Sequence, residues 1–380
     1  MAVNTAFYTT LNELMTRATK GTVGAVVDYA SFVDAGKVLS AMSIQDLTNE
    51  FLSPLMNKVQ KTINDNPSYQ GSLIDMYKGS LDYGVLETIM GSFYDMAQST
   101  FDGQTLTNGE TYTDQFKVNL PEKTVMYHTE SNSWELDITI RDTDLRGAFT
   151  NPAAMDSFIS SIMIDVANSL EIAKESARLG VIASKIKLAD AQPAEETDDT
   201  KGAVHYDLLA IYNAKAGTTL TSENCLDNDA FIRFSVAAIK DIAALMQKPS
   251  TKFNAKGDFK TFTPASKRKL KVNSLFEKAI KVSVIDAYNV GNAVLGMDYE
   301  ILPFWQNIDD RLTVQTGNNT KSSPVIACLY DDRAIGEMVQ LEATESTRNA
   351  KRKYTNYHFQ ENYMYWQNDY ANFVIFTIKG

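Results

Sequence analysis

The sequence predicts an α+β fold in which helices and strands occupy separate stretches of the chain. Apolar residues early in the chain, such as Ile44, Leu47 and Phe51, recur at helical spacing. Further along, apolar and polar residues alternate, which is typical of half-buried strands. A long amphipathic helix is then predicted to begin at Pro152, and alternating helices and strands follow it.

Length and composition limit the classes of protein that fit. A chain of 380 residues exceeds what one hydrophobic core usually organises, so we expect two lobes or one lobe with large excursions. With 44% hydrophobic and 22% charged residues the composition is that of a folded protein. The net charge of -11 opposes sequence-independent coating of nucleic acid phosphates.

No targeting signal stands out. Residues 1–20 mix polar residues such as Asn4, Glu13 and Arg17 among the apolar ones, unlike a secretory signal. No stretch approaches the roughly 20 apolar residues that a membrane-spanning helix needs. We therefore expect a chain that stays in a cytoplasm, or is assembled from one, with no membrane partner.

Residues 1–74 are expected to form a helical arm region. Ser43 and Asp46 resemble a capping box, and Pro54 suits the first position of a second helix. The pattern predicts two short helices or one kinked helix.

Residues 75–148 are expected to contain early strands and a long hairpin, with a polar turn at residues 129–133. A two-stranded arm is marginal alone in water, so its apolar face needs a covering surface on its own domain or on another subunit. The apolar residues of the two strands are the candidate contacts: Phe116, Val118, Leu120, Trp134, Leu136, Ile138 and Ile140.

Residues 149–202 are expected to hold a long spine helix and a linker. Asn151 can cap the helix ahead of Pro152, and the helix is predicted to run to about Lys187. Residues 191–202 are polar and acidic, as in an exposed loop. The predicted core face of the helix comprises Met155, Phe158, Ile159, Ile162 and Val166.

Residues 203–330 alternate helices and strands, which predicts a mixed α/β lobe, and residues 331–380 return to strands. Tyr357, Phe359, Tyr363 and Tyr365 fall on one face of a strand. Two interpretations stay open for them: a core strand, or a sheet edge that contacts other chains, where aromatic residues are enriched.

Chemistry-bearing motifs are weak. Gly36-Lys37 lacks the other residues of a phosphate-binding loop. His128-Thr129-Glu130 lacks the paired cysteines of a zinc deaminase, so His128 is expected on the hairpin surface. Cys225 and Cys328 lie far apart without metal-site spacing. We therefore expect no catalytic site, no metal and no cofactor.

The order of parts resembles that of the Hong Kong 97-like major capsid proteins of tailed phages. The chain is most similar to the phi-29-like branch from short-tailed phages (podoviruses), over roughly Asn49 to Phe376. The resemblance is carried by residues 138–149 (ITIRDTDLRGAF), residues 158–162 (FISSI), and residues 347–349 (TRN) leading to residues 370–376 (YANFVIF). Some relatives carry an additional immunoglobulin-like carboxy-terminal domain. The sequence lacks one, so no head decoration by such a domain is expected.

This resemblance implies an axial domain at residues 203–330 and a peripheral domain built from the spine helix, the early strands and the closing strands. It also implies that the predicted hairpin is an extended loop that lies across the adjacent subunit. The resemblance also implies self-assembly into pentamers and hexamers of an icosahedral virion shell, built in the host bacterial cytoplasm. The implied partners are a scaffolding protein, a portal (connector) protein and packaged double-stranded DNA held by weak, non-specific contacts.

Two alternatives from other classes stay open. One is another virion structural component, such as an adaptor or fibre base. The other is a cytoplasmic α/β enzyme that holds a metal with the acidic loop near Glu195.

Overall fold

The computed structural model describes residues 69, 71–81, 85–91, 123–129, 131–143, 152–284, 297–302, 311–315 and 321–380, without the side chains of residues 90, 152–163 and 282–284. These residues fall into two compact units. Unit 1 contains residues 69–81, 131–143, 152–178 and 337–365, and unit 2 contains the remainder. Helices and sheets are both present in the described residues, which confirms the α+β prediction. No helix among them is both long and apolar enough to span a membrane.

The long helix, α1, covers Pro152–Asp190 and has 39 residues, which corresponds to about 58 Å at 1.5 Å per residue. Proline stands at its first position, where the missing N–H costs nothing. Val166, Leu170, Lys174 and Arg178 are all buried, and they recur every four residues on one face.

Unit 1 contains most of a four-stranded sheet with the order β1-β9-β10-β4. The strands are β1 (Tyr77–Ser80), β4 (Ser131–Arg141), β9 (Ile335–Asn349) and β10 (Tyr354–Gln367). β4 runs antiparallel to β10 in unbroken register from the Tyr354↔Arg141 pair to the Met364↔Ser131 pair.

Unit 2 is built on a five-stranded sheet with the order β5-β11-β8-β6-β7. Its strands are β5 (His205–Asp207), β6 (Arg268–Asn273), β7 (Tyr299–Leu302), β8 (Val325–Asp331) and β11 (Phe373–Thr377). Every residue of β8 and β11 is buried, as expected for strands covered on both faces. Helices α2 (Leu208–Ala216), α3 (Asp229–Leu245) and α4 (Ser274–Val284) contribute buried side chains to the same core.

Side-chain caps fix where two of these helices begin. The Asp207 carboxylate accepts hydrogen bonds from the backbone N–H groups of Leu209 and Ala210 at 3.1 and 3.2 Å. The Asn228 side chain accepts one from Phe231 at 3.0 Å. Each cap satisfies N–H groups that have no partner within the helix. At the end of α2, Gly217 takes φ 64°, the left-handed conformation that suits glycine.

A separate two-stranded ribbon in unit 2 consists of β2 (Leu86–Gly91) and β3 (Lys123–His128). The strands are antiparallel, and Ile89 stands directly opposite Val125. The residues that connect the two strands lie outside the described part of the chain.

The structure differs from the sequence prediction in two pairings. β4 was expected to form a hairpin with the strand containing residues 116–120, but it pairs with β10, and residues 131–133 belong to β4 rather than to a turn. The closing strand β11 was expected in the peripheral domain, but it pairs with β5 and β8 in the sheet of unit 2. Alternation along a strand identifies its inward face but does not identify its neighbour, which explains both errors. The predicted N-terminal helices lie outside the described residues.

Candidate functional site

The apolar residues predicted to contact another subunit lie mainly in the sheet of unit 1. Tyr357 and Phe359 of β10 are fully buried, and Tyr363 is 2% exposed. In register with them, Leu136 and Ile138 of β4 are partly covered, and Ile140 is buried. This face is therefore turned toward the protein's own core, which supports the core-strand interpretation of the aromatic residues.

The other predicted site residues are placed only in part. Trp134 and Tyr365 are partly covered on the same two strands. Val166 is fully buried on α1. Residues 155, 158, 159 and 162 belong to the helical backbone of α1, but their side chains are outside the description, as are Phe116, Val118 and Leu120 altogether.

A buried ionic network connects α1 to two strands of the sheet in unit 1. Arg178 donates two hydrogen bonds to Glu337 of β9, at 2.9 and 2.7 Å, and a third to Glu171 at 3.0 Å. Burial alone would lower the pKa of Arg178, but its hydrogen bonds to Glu337 and the nearby negative charges raise it above its usual value. The forked pairing fixes the helix against β9, because both donors must align with one carboxylate.

One turn earlier on α1, Lys174 forms an ion pair with Glu361 of β10 at 3.1 Å. Its ammonium group also lies 4.7 Å from the ring centroid of Tyr363. Burial raises the pKa of Glu361 above its usual value, although Lys174 opposes the shift. The effect of burial on the pKa of Glu361 is therefore larger than the opposing effect of Lys174.

Tyr69, Gly71 and Ser72, which together we call the strap, are held against the same helix by two glutamates. Glu175 accepts hydrogen bonds from the Tyr69 hydroxyl at 2.6 Å and from the Ser72 backbone N–H at 2.9 Å. Gly71 donates its N–H to Glu171, and a Cβ at Gly71 would stand 3.0 Å from both glutamate side chains, so a larger residue there would require the glutamates to shift. Burial would raise the pKa of Glu175, but the bonds from Ser72 and Tyr69 lower it below its usual value.

Leu73 continues the strap in an unusual backbone conformation, with φ 61° and ψ 30°. A left-handed conformation costs a non-glycine residue about 1–2 kcal/mol. The Leu73 side chain is fully buried, which contributes about 1.5–3 kcal/mol. Burial therefore offsets the strain, and Leu73 anchors the strap in unit 1.

The β2/β3 ribbon exposes one face that carries four apolar side chains and one carboxylate, Glu87, and we call it the ribbon face. Tyr127 is 64% exposed, Ile89 60%, Val85 52% and Val125 42%. Positions 85, 87 and 89 share a face with 125 and 127 because side chains alternate along each strand and Ile89 opposes Val125. Grouped apolar exposure of this kind is typical of an interaction surface.

His128 lies at the base of the ribbon and is buried, whereas the sequence predicted a surface histidine. Its ring nitrogen Nε2 is 3.2 Å from the Thr88 hydroxyl, and its ring centroid is 6.4 Å from that of Trp366. Burial lowers the pKa of His128, opposed by the charge of Asp369. The isolated motif gave no sign of this environment, because the contact with Trp366 is remote in sequence.

Several charged residues of the acidic loop and of the closing strands form ion pairs in the structure. In the acidic loop, Glu195 pairs with Lys201 at 2.7 Å, and Asp199 pairs with Lys215. Arg348, which is close in sequence to Lys351, Arg352 and Lys353, pairs with Asp142 at 3.0 Å. Both cysteines are buried as free thiols, and burial raises the pKa of Cys225 to about 11.

Within the described residues, one cluster combines three side chains able to ligate a metal: Glu135 and Asp137 on β4 and His358 on β10. Nδ1 of His358 is 2.5 Å from Asp137 and 3.5 Å from Glu135. Asp137 and His358 are direct cross-strand neighbours, and both carboxylates are exposed. A cross-strand polar contact accounts for this geometry without a bound ion.

Solved phage structures share this fold. A chain of the capsid structure of Staphylococcus phage Andhra matches with a TM-score of 0.52 and 11% identity, covering 82% of this chain and 85% of that chain. A chain from the structure of the head fiber and inner core protein gp22 of native bacteriophage P68 matches with a TM-score of 0.53 and 11% identity, covering 82% and 86%. The fold is therefore the Hong Kong 97-like fold of phage capsids.

Sequence comparison identifies the family. The major capsid proteins of Bacillus phages GA-1 and B103 are 26% identical over 135 residues and 28% identical over 129 residues. These segments cover 35% and 34% of this chain but only 27% of each relative's length. The family model for the Phi29-like phage major capsid protein matches residues 11–377. The chain therefore belongs to the Phi29-like phage major capsid protein family.

Proposed function

We propose that the chain is the shell subunit of a tailed-phage head and assembles into pentamers and hexamers that enclose packaged double-stranded DNA. The observation that carries the proposal is the family match over residues 11–377. The exposed apolar face of the ribbon supports it, because a two-stranded ribbon gains stability when a second surface covers it.

The intersubunit arm is assigned to the β2/β3 ribbon. The sequence alone favoured β4, but the apolar side chains of β4 are on the core side of the sheet in unit 1. The ribbon instead presents Ile89, Val125 and Tyr127 to solvent. Phe116, Val118 and Leu120 fall in the segment between β2 and β3, so they remain candidates for contacts at the end of the arm.

The two structural units suggest how the predicted domains are arranged. We assign the axial domain to the five-stranded sheet with α2, α3 and α4, and we include β11 in it. The peripheral domain then comprises the four-stranded sheet and residues 152–178 of α1.

The role is structural and not enzymatic. The family supports this coarse assignment, and the carboxylates of the acidic loop that suggested a metal-dependent enzyme pair with Lys201 and Lys215. A scaffolding protein and a portal protein are the further proposed partners, in a virion assembled in the host bacterial cytoplasm.

The proposal also includes weak contact with DNA. The net charge of -11 disfavours tight binding to phosphate, which suits a shell that is filled with nucleic acid after assembly. Loss of DNA binding at physiological salt in a filter-retention assay is the expected result, and salt-resistant binding contradicts it.

Electron microscopy tests the assembly directly. The full-length chain is produced together with its cognate scaffolding protein, and closed shells are the expected product. Soluble monomers under every assembly condition contradict the proposal. Rings or fibres in place of shells favour an adaptor or fibre base instead.

A further inference from the structure

Three side chains able to ligate a metal converge on the outer face of the sheet in unit 1. Glu135 and Asp137 stand two residues apart on β4, so both point to the same face of that strand. His358 is the direct cross-strand neighbour of Asp137 on β10. One ligand atom from each side chain lies within 4.8 Å of the other two, and we call these three residues the ligand triad. Sequence spacing did not indicate the triad, because Asp137 and His358 are 221 residues apart.

The buried face of the same two strands fixes the position of the triad. Ile140, Tyr357 and Phe359 pack inward, and alternation along each strand then places the triad on the opposite face. β4 and β10 pair in unbroken register on both sides of it, so its backbone positions are set by the ladder. Ligands that are carried on strands are held more precisely than ligands on loops.

The cross-strand contact within the triad holds the donor atoms together before any ion arrives. Nδ1 of His358 lies 2.5 Å from Asp137 and 3.5 Å from Glu135, so both carboxylates approach the same nitrogen atom. The direct cross-strand neighbour of Glu135 is Gln360, yet its carboxylate lies near His358. Side chains that already converge lose little freedom when a ligand binds, which favours binding.

The triad also gathers negative charge without a matching cation. Neither carboxylate forms an ion pair with a lysine or arginine among the residues that the structure describes. Two carboxylates this close repel each other, and a divalent cation placed between them replaces the repulsion with attraction. Charge on an edge strand such as β4 also deters pairing with other chains, but that role does not require a histidine beside the carboxylates.

We propose that Glu135, Asp137 and His358 bind one Zn²⁺ ion that ties the edge strand β4 to β10. The site lies within a single chain, so it goes beyond the shell function and does not depend on it. Zinc takes imidazole nitrogen and carboxylate oxygen at about 2.0–2.2 Å in tetrahedral geometry, which puts its ligand atoms about 3.4 Å apart. The distances of 2.5 and 3.5 Å are close to that spacing, so small side-chain rotations complete the site. Water fills the fourth position.

The donor set and its accessibility select zinc and this location. Magnesium and calcium prefer oxygen ligands, whereas imidazole suits zinc. Of the three histidines in the chain, His128 and His205 are buried, while the side chain of His358 is 25% exposed. Cys225 and Cys328 are buried thiols. The triad therefore offers an incoming zinc ion an accessible imidazole beside two carboxylates.

Isothermal titration calorimetry tests the site on the full-length unassembled chain, treated with a chelator and made without a histidine tag. Zinc chloride at pH 7.5 is expected to titrate one site per chain, and magnesium chloride is expected to give no comparable heat. Glu135→Gln, Asp137→Asn and His358→Gln are each expected to weaken zinc binding by about tenfold or more, since loss of a residue that merely supports a ligand already costs that much. Glu196→Gln removes an exposed carboxylate of the acidic loop and is expected to leave the affinity unchanged.

Hydrogen exchange shows where the ion acts. β4 has a single partner strand within the described sheet, so its amides are expected to open readily without the ion. Zinc is expected to slow the exchange of the β4 amides around Asp137 in the unsubstituted chain but not in the His358→Gln chain. The amides of α3 in unit 2 are expected to exchange at the same rate with and without zinc.

Absence of zinc binding, zinc binding that persists in His358→Gln, or an equal response to zinc and magnesium overturns the site. Slower exchange in unit 2 without slower exchange in β4 also overturns it, because the ion then binds elsewhere. These outcomes are separate from the test of shell assembly. Closed shells from a chain that binds no zinc leave the proposed function intact, and a zinc-binding chain that forms no shells leaves the site intact.

Discussion

Arg178 brings together the charges that hold α1 against the sheet of unit 1. Its guanidinium group is shared between Glu337, which is fully buried, and Glu171 on its own helix. A buried carboxylate that loses its partner keeps the desolvation cost without the compensating attraction. Removing Arg178 is therefore expected to be costly, because it leaves the Glu337 carboxylate buried without a counter-charge.

Arg178→Met is expected to lower the free energy of unfolding by about 3–5 kcal/mol, because Glu337 stays buried without a counter-charge. Urea unfolding of the unassembled chain measures the change. Lys201→Met, which removes an exposed partner of Glu195, is the matched control and is expected to leave stability nearly unchanged. Equal effects of the two substitutions contradict the network as described.

At the scale of elements, the stability of the β2/β3 ribbon at its His128 end, which we call the ribbon base, depends on that histidine being neutral. Burial lowers the pKa of His128 relative to its value of about 6.5 in the unfolded chain. As the pH falls below that value, the unfolded state takes up the proton first, so the folded base of the ribbon loses stability. Thr88 and Trp366 contact the ring, and Asp369 is the nearby charge that opposes the shift.

Acidification from pH 7.5 to pH 5 is expected to reduce the protection of the ribbon amides against hydrogen exchange, after correction for the intrinsic exchange rates. His128→Gln removes the titrating group and is expected to abolish this dependence at the ribbon. His205, whose pKa burial also lowers, reports separately on the sheet of unit 2. Equal protection of the ribbon amides against hydrogen exchange at both pH values contradicts an effect of His128 titration on the ribbon.

At the scale of the whole molecule, association brings together copies that each carry a net charge of -11. Their mutual repulsion is long-ranged at low salt, where the screening length is about 30 Å at 0.01 M, and it is screened within about 8 Å at 0.15 M. The attraction of a single exposed ion pair is small beside this repulsion. Salt therefore has a predictable net effect on assembly.

Raising the salt concentration from 0.01 to 0.15 M is expected to increase the rate at which shells form. Light scattering at constant protein concentration follows the reaction. A Lys240→Glu variant, altered at an exposed position of α3 and two charge units more negative, is expected to show a steeper salt dependence. Slower assembly at higher salt indicates that attraction between charged patches outweighs the net repulsion.

Local patterns identified several elements correctly. The period of 3.6 and the Asn-Pro start placed α1, and the helices and strands predicted to alternate over residues 203–330 include β6 and α4. The sequence did not indicate β9, whose polar stretch from Gln340 to Arg348 carries no alternating apolar pattern. That strand is stabilised by its neighbours in the sheet, so its own side chains give little signal.

The sequence by itself determined the α+β class, the long helix, the inward faces of β4 and β10, and the resemblance that the family match bears out. These depend on the spacing of side chains along one segment, which the order of residues specifies directly. Only the tertiary structure decided that β4 pairs with β10, that His128 is buried, and that the ribbon face remains exposed. Pairing and exposure depend on contacts between segments far apart in the chain, and these are set by competition among all possible partners.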